Sequence, residues 1–188
     1  MKAKIKKLNK TLVGTSVPKQ QRGNEGNTGR YYHQQMGVSN AKGADIKKLD
    51  LELKTRKRGS KAPHTTGTMV YDDIISTPWN QTTFAQKRQR IQEAIHDDTF
   101  AVENEIVSEK IYDLTKPEIQ DLLEHDYEIA RAELDNLGPN ATGTIRGGQF
   151  GILEHKGGNT WAHRIPDSGY QKLKNLASST VDDLFDWS

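Results

Sequence analysis

Cysteine is absent from all 188 residues. That excludes disulfide frameworks, thiolate zinc sites, iron–sulfur clusters and cysteine nucleophiles together. No apolar run approaches the roughly 20 residues a membrane span needs, so neither a transmembrane segment nor a membrane partner is expected. The start, MKAKIKKLNKTLVG, is basic but leads into no apolar h-region, so no signal peptide is read and a cytoplasmic protein is expected. With 6 Pro and 16 Gly, the chain has too little of either for a fibrous or wholly unstructured protein. Apolar residues are scarce as well: 33% of the chain, with a mean hydropathy of −0.83 and 28% charged residues. A chain of this length still buries a core, with part of it left solvated.

Charge is present but unevenly distributed. The formal net charge of +2 conceals a first third (1–61) with 16 Lys and Arg against 4 Asp and Glu. Residues 62–136 carry 6 basic against 16 acidic residues, and 137–188 carry 5 of each. The acidic middle reads as a solvated face. The basic third has the footprint of a polyanion binder, because Lys and Arg gain affinity by releasing phosphate counterions. An ordinary basic surface would look the same.

The expected organisation is a basic arm (1–22), one α/β domain (23–176) and an acidic tail (177–188). A short helix is expected over 27–36, with Asn27 or Thr28 as N-cap and Gly37 as its stop. In 49–57 (LDLELKTRK) Leu49, Leu51 and Leu53 alternate with Asp50, Glu52 and Lys54, the pattern of a strand with one apolar face. A strand or strand-plus-turn is expected over 67–77. A helix over 82–95 is read from Phe84, Ile91, Ala94 and Ile95, and β structure over 99–114. Thr115 as N-cap, Pro117 at the first turn and Glu118 predict a helix over 117–137 that stops at Gly138-Pro139. Residues 144–165 read as hairpin strands joined through 156–159, and YQKLKNLA (170–177) as a short helix.

The polar face of the 49–57 strand carries the most chemical information. It sets Glu52 and Lys54 side by side, with Asp45 seven residues before Glu52. Two carboxylates on neighbouring segments can hold a hard divalent cation through oxygen. A lysine on the same face can orient or deprotonate a water against a phosphate, while the cation lowers that water's pKa. Alternating charge on a strand is also what a plain solvated face shows. The six histidines have no ligand spacing. Gly147-Gly148 and Gly157-Gly158 lack the strand–glycine–helix context of a nucleotide loop.

Residues 26–55 (GNTGRYYHQQMGVSNAKGADIKKLDLELKT) resemble the active-site region of the MutH-like endonucleases. This is the branch of the PD-(D/E)XK nucleases that holds mismatch-repair nicking enzymes and related type II restriction enzymes. The Asp45-to-Glu52 spacing is that of the branch. TPWNQTTFAQKRQR (77–90) is similar to its tryptophan-then-basic helix, which places a second active-site lysine at Lys87. HDYEIARAELDNLG (125–138) resembles the helix before the DNA-reading hairpin, and GQFGILEHKGGN (148–159) resembles that hairpin, with Lys156 at the base-contacting position. Two positions depart from the pattern. His33 stands where a glutamate is common, and Glu154-His155-Lys156 replaces Arg-Pro-Lys, so a recognised sequence other than GATC is expected.

The resemblance implies a restriction-endonuclease-like α/β fold, with a mixed central sheet flanked by helices and a DNA-reading hairpin. It implies Asp45, Glu52, Lys54 and Lys87 as catalytic residues. Asp45, Glu52 and Leu53 would bind Mg²⁺, with Mn²⁺ as a substitute. Lys156, Arg146, Arg56, Arg88 and Arg90 would contact double-stranded DNA, and His33 would be auxiliary. The expected activity is sequence-specific DNA hydrolysis of the restriction or mobile-element type, by a monomer or a dimer on DNA. A repair nickase and a non-catalytic DNA-binding module are the alternatives. The acidic tail is a candidate dock for a protein partner.

Overall fold

The alternation Leu51-Glu-Leu53 does form a strand, β2 (Leu51–Lys57), with Leu51 and Leu53 in the core. The computed structural model describes residues 12–18, 31, 33–37, 51–86, 90–97 and 103–179. Its architecture is mixed α/β, with the strands shared between two sheets rather than gathered in one. The chain forms two compact units. One takes in residues up to Ser60, Arg90–Asp113 and the segment from Ser178; the other comprises Lys61–Gln89 and Leu114–Ala177.

The first unit is built on β1 (Ser16–Pro18), β2, β4 (Arg90–Asp97), β5 (Glu103–Asp113) and β9 (Ser178–Ser179). Strand order is β1-β5-β4-β2, with β9 also on β5. β2 runs parallel to β4, pairing Leu51 with Arg90 and Lys54 with Glu93. β4 and β5 are antiparallel. Residues 12–18 of the expected basic arm dock on β5: Leu12 is buried and its N–H donates to the Glu109 carboxylate at 2.7 Å. Around 31–37, Tyr31 and His33–Gln35 are helical. Gly37, at φ +66°, closes the turn with its N–H on the Gln34 carbonyl. The stop falls where the sequence places it; the expected caps Asn27 and Thr28 lie outside the described residues.

The second unit holds an antiparallel sheet in the order β3-β8-β7-β6: β3 (His64–Val70), β6 (Thr144–Arg146), β7 (Ile152–Gly157) and β8 (Thr160–Ile165). Its helices are α1 (Tyr71–Ser76), α2 (Thr83–Gln86), α3 (Pro117–Leu137) and α4 (Asp167–Ala177), with a 3-10 turn at Trp79–Gln81. α3 has the expected span. Ile119, Leu123, Tyr127, Ala130 and Leu134 recur every three to four residues and are all buried. Pro117 sits at its start, and Gly138, at φ +80°, returns its N–H to the Leu134 carbonyl at 3.0 Å. The N-cap is Lys116, with no side-chain bond, not Thr115. The side chains of α3 also satisfy the open end of α1: Tyr127 Oη donates to the Ile74 carbonyl at 3.0 Å and Arg131 Nη1 to that of Ile75 at 2.9 Å. Between α3 and the sheet lies an aromatic core of Trp79, Phe84, Tyr127, Trp161 and His163. Gly147 lets the loop before β7 touch α3, because a Cβ there would stand 1.5 Å from the Asp126 carbonyl oxygen.

Three sequence expectations are corrected. The helix expected over 82–95 ends at Gln86, and Arg90–Asp97 is strand β4. β4 lies between β2 and β5, with Ile91, Gln92, Glu93 and Ala94 all buried. A strand covered on both faces shows no alternation, so its apolar spacing passes for helical. The strand expected at 67–77 starts at His64 and gives way to helix at Tyr71. The terminal helix begins at Asp167, ahead of the expected 170. Ser178–Ser179 of the acidic tail forms β9, and residues 180–188 lie outside the described residues. Among the described residues no helix is long and apolar enough to cross a membrane.

Candidate functional site

β2 is the outer strand of its sheet among the described residues, and its chemistry-bearing residues lie on the face opposite the leucines. Glu52 is 6% exposed. Its Oε1 stands 3.0 Å from Lys54 Nζ, which is half-buried. The ammonium offsets part of the cost of holding a carboxylate in so dry a place. Between them, the backbone carbonyl of Leu53 lies 3.3 Å from His33 Nε2, so the histidine reaches the same short stretch of strand.

The neighbouring strand adds a third charged residue that the sequence reading missed. Glu93 of β4 is the register partner of Lys54, and it is buried. One strand further, Tyr112 has its phenol pushed up to about 12, first by burial and then by the negative charge of Glu93. Glu52, Lys54 and Glu93 thus share one face of one sheet. Only the helical reading of 82–95 hid Glu93; as a strand, the run Gln92-Glu93 would have stood out as buried polar residues.

The donors on β2 fit a hard cation. The Glu52 carboxylate and the Leu53 carbonyl are oxygen donors on consecutive residues, the type of atom that Mg²⁺ accepts while keeping several waters. Among the described residues no group of three His, Asp or Glu side chains is placed to hold a metal. Asp45, Lys87 and Arg88 lie outside the described residues, so their expected roles belong to the proposal below.

The other basic candidates are placed as follows. Arg56 Nη2 donates to the Ser60 carbonyl at 2.9 Å, tying the turn after β2. Arg90 begins β4 and lies 3.4 Å from the Asp113 carboxylate; it is a strand residue, not part of a basic helix face. In the second unit, Arg146 lies on the same face of the sheet as Glu154, the partner of Lys156, opposite the aromatic core. Arg146 pairs with Ile152 in register, and Thr144 with Glu154. Lys156 Nζ is 2.7 Å from Glu154 Oε1, and Arg164 Nε from β8 is 2.9 Å from Glu154 Oε2. Arg164 was missed because its partner is ten residues away, across a turn whose register the sequence does not reveal. The tip is braced from the other face: His155 lies 5.1 Å from the Trp161 ring, and its Nε2 is 2.9 Å from the Gly158 carbonyl.

No family model matches the chain, and no curated protein matches it.

Proposed function

We propose that the chain is a Mg²⁺-dependent, sequence-specific DNA endonuclease of the MutH-like PD-(D/E)XK type, acting inside the cell as a restriction or mobile-element enzyme. The observation that carries this reading is the buried Glu52 carboxylate held 3.0 Å from Lys54 on an outer strand. The desolvation cost of a buried carboxylate can exceed what its attraction to one half-buried lysine returns, so burying Glu52 there serves something other than stability. Its setting in a strongly basic first third supports a polyanionic substrate.

In this reading Asp45, Glu52 and the Leu53 carbonyl would hold the cation, whose chemistry when bound would be to lower a water's pKa and offset charge on the attacked phosphate. Lys54 orients the attacking water and stabilises the charge that develops on the phosphate oxygen beside it. Lys87 assists the phosphate. His33, at the Leu53 carbonyl, holds that carbonyl's orientation. Arg146 and Lys156 contact DNA from the sheet of the second unit, and Arg56, Arg88 and Arg90 are the remaining backbone contacts. Each such site cuts one strand, so two sites or two visits make a double-strand break. The departure of Glu154-His155-Lys156 from the family's hairpin favours a restriction or mobile-element role over a repair nickase.

The test is digestion of supercoiled plasmid by the wild-type chain and by Glu52→Ala, in Mg²⁺ and in EDTA. Metal-dependent nicked or linear product that Glu52→Ala abolishes is expected. Metal-free DNA binding should survive in the variant or improve, because the lost carboxylate repels phosphate. Cleavage by Glu52→Ala would contradict the site, and intact DNA with a metal-independent mobility shift would favour the binding module.

A further inference from the structure

β4 runs between β2 and β5, so Glu93 has a lysine in register on each side: Lys54 on β2 and Lys110 on β5. Neighbouring strands lie about 4.8 Å apart, which a lysine side chain spans with ease. Glu93 is 2% exposed; of its two register partners Lys54 is half-buried and Lys110 exposed. Tyr112 lies two residues beyond Lys110 on the same face of β5. Its phenol is pushed up to about 12, by burial first and then by the charge of Glu93. It therefore keeps its proton at neutral pH, as a donor on the side of Glu93 away from β2. A carboxylate this dry is costly unless cations and donors face it, and the mechanism above gives it no task.

Lys54 needs a second anion. In the free chain its ammonium stands 3.0 Å from Glu52 Oε1. The proposed reaction takes that partner away. Once Glu52 gives its oxygens to a divalent cation, its charge is more than offset, and Lys54 is left beside a net positive centre that repels it. A lysine head on a flexible four-carbon stem then swings into solvent unless another negative charge lies on the same face. Glu93 is that charge, one strand inward and in register.

We propose that Glu93 is a positioning residue for Lys54, supplying the negative charge that keeps the ammonium over the site after Glu52 has turned to the cation. This rests on the reading of Glu52 as a metal ligand in a DNA-cutting site. In this role Glu93 touches neither cation nor phosphate and acts only through Lys54.

The experiment has a metal-free arm and a cleavage arm, and uses E93Q and E93M, each first shown folded by circular dichroism. The apolar variant guards against a buried amide that unfolds the sheet, because an apolar side chain of similar size often replaces a buried charge without loss. In the first arm, without metal or DNA, E52A stands in for a Glu52 whose charge has been taken. Acylation of Lys54 by an amine-reactive ester is followed by mass spectrometry at one pH, against the exposed Lys61 as reference. Lys54 should stay protected in E52A and react several-fold faster in E52A/E93Q. Equal rates in the two would overturn the proposal.

In the second arm, single-turnover cleavage in saturating Mg²⁺ should fall about 100-fold in E93Q and E93M, the cost of a misplaced catalytic group. DNA affinity in Ca²⁺ and the Mg²⁺ concentration giving half the rate should stay as in the wild type. In a K54A background the same substitutions should cost nothing further, because effects carried through one residue do not add. An equal loss with and without Lys54 would make Glu93 a structural residue, and a raised Mg²⁺ requirement would make it a metal ligand; either overturns the proposal. A wild type that cuts no DNA while the metal-free arm gives the expected result defeats the nuclease reading alone. One that cuts, with E93Q as fast as itself, defeats this proposal alone.

Discussion

Lowering the pH from 7 to 5 should destabilise the second unit through a single buried ring, His163. It is 0% exposed, lies 5.3 Å from the Phe84 ring and 5.4 Å from that of Trp79, and has its pKa pushed down to about 3 by burial. Thr66 Oγ1 is 2.8 Å from Nδ1 and donates to the His163 carbonyl at 3.3 Å. With the hydroxyl proton spent on that carbonyl, Nδ1–H donates to Oγ1 and Nε2 is the bare nitrogen. Nε2 has no hydrogen-bond partner among the described residues, so protonation would create a buried cation with nothing to accept its new N–H. Asp126, across Gly151 from the ring, accepts instead from the Phe150 N–H at 2.5 Å.

The sign follows from which state binds the proton. The folded ring stays neutral down to about pH 3, whereas the unfolded ring protonates below 6.5. The stabilisation is therefore complete above pH 6.5 and is lost as pH falls towards 3. At 1.36 kcal/mol per unit, its upper limit is about 5 kcal/mol, a large part of the usual stability of a domain. Urea unfolding read by tryptophan fluorescence, which includes Trp79 and Trp161, should show stability falling by about 1 kcal/mol per pH unit between 6 and 5. Carboxylates remain largely ionised there. His163→Phe should flatten that slope. A wild-type stability that does not change from pH 7 to 5, or a folded His163 that titrates near 6.5 by NMR, would refute the reasoning.

Other expectations follow from the same geometry. Lys54→Ala should lower the cleavage rate about 100- to 1,000-fold with little change in DNA affinity, measured by single-turnover kinetics. Gly147→Ala, whose Cβ would meet the Asp126 carbonyl oxygen at 1.5 Å, should cost about 1–3 kcal/mol or more in chemical denaturation. Asp126→Ala leaves the Phe150 N–H without its acceptor and should cost about 1–3 kcal/mol; a change below 0.5 kcal/mol would mean that water replaces the carboxylate there.

What the sequence made legible was local. Period-two alternation found β2, and Pro117 and Gly138 bracketed α3 because both act through their own backbone. Gly37 ended its turn for the same reason. Residues whose role depends on a partner far along the chain stayed hidden. β4 is a strand because β2 and β5 flank it, and nothing in Arg90–Asp97 alone reveals that. Glu93 disappeared with it. Arg164 and Glu154 meet only once the β7–β8 register is set, and that register shifts between His155 and Gly157. Glu52 and Lys54 were legible because two residues on one strand face suffice to bring them together, whereas Gly147-Gly148 gave no sign that they make room for Asp126.

The most direct test of the central claim is to digest a long, sequence-diverse supercoiled DNA with the wild-type chain and to map every end by sequencing, with Mg²⁺ and with EDTA. Discrete ends at one recurring sequence, present only with Mg²⁺, are the predicted result, and their nicked-to-linear ratio would separate a nickase from a restriction-type enzyme. Intact DNA, or ends scattered without sequence preference in both conditions, would contradict the account.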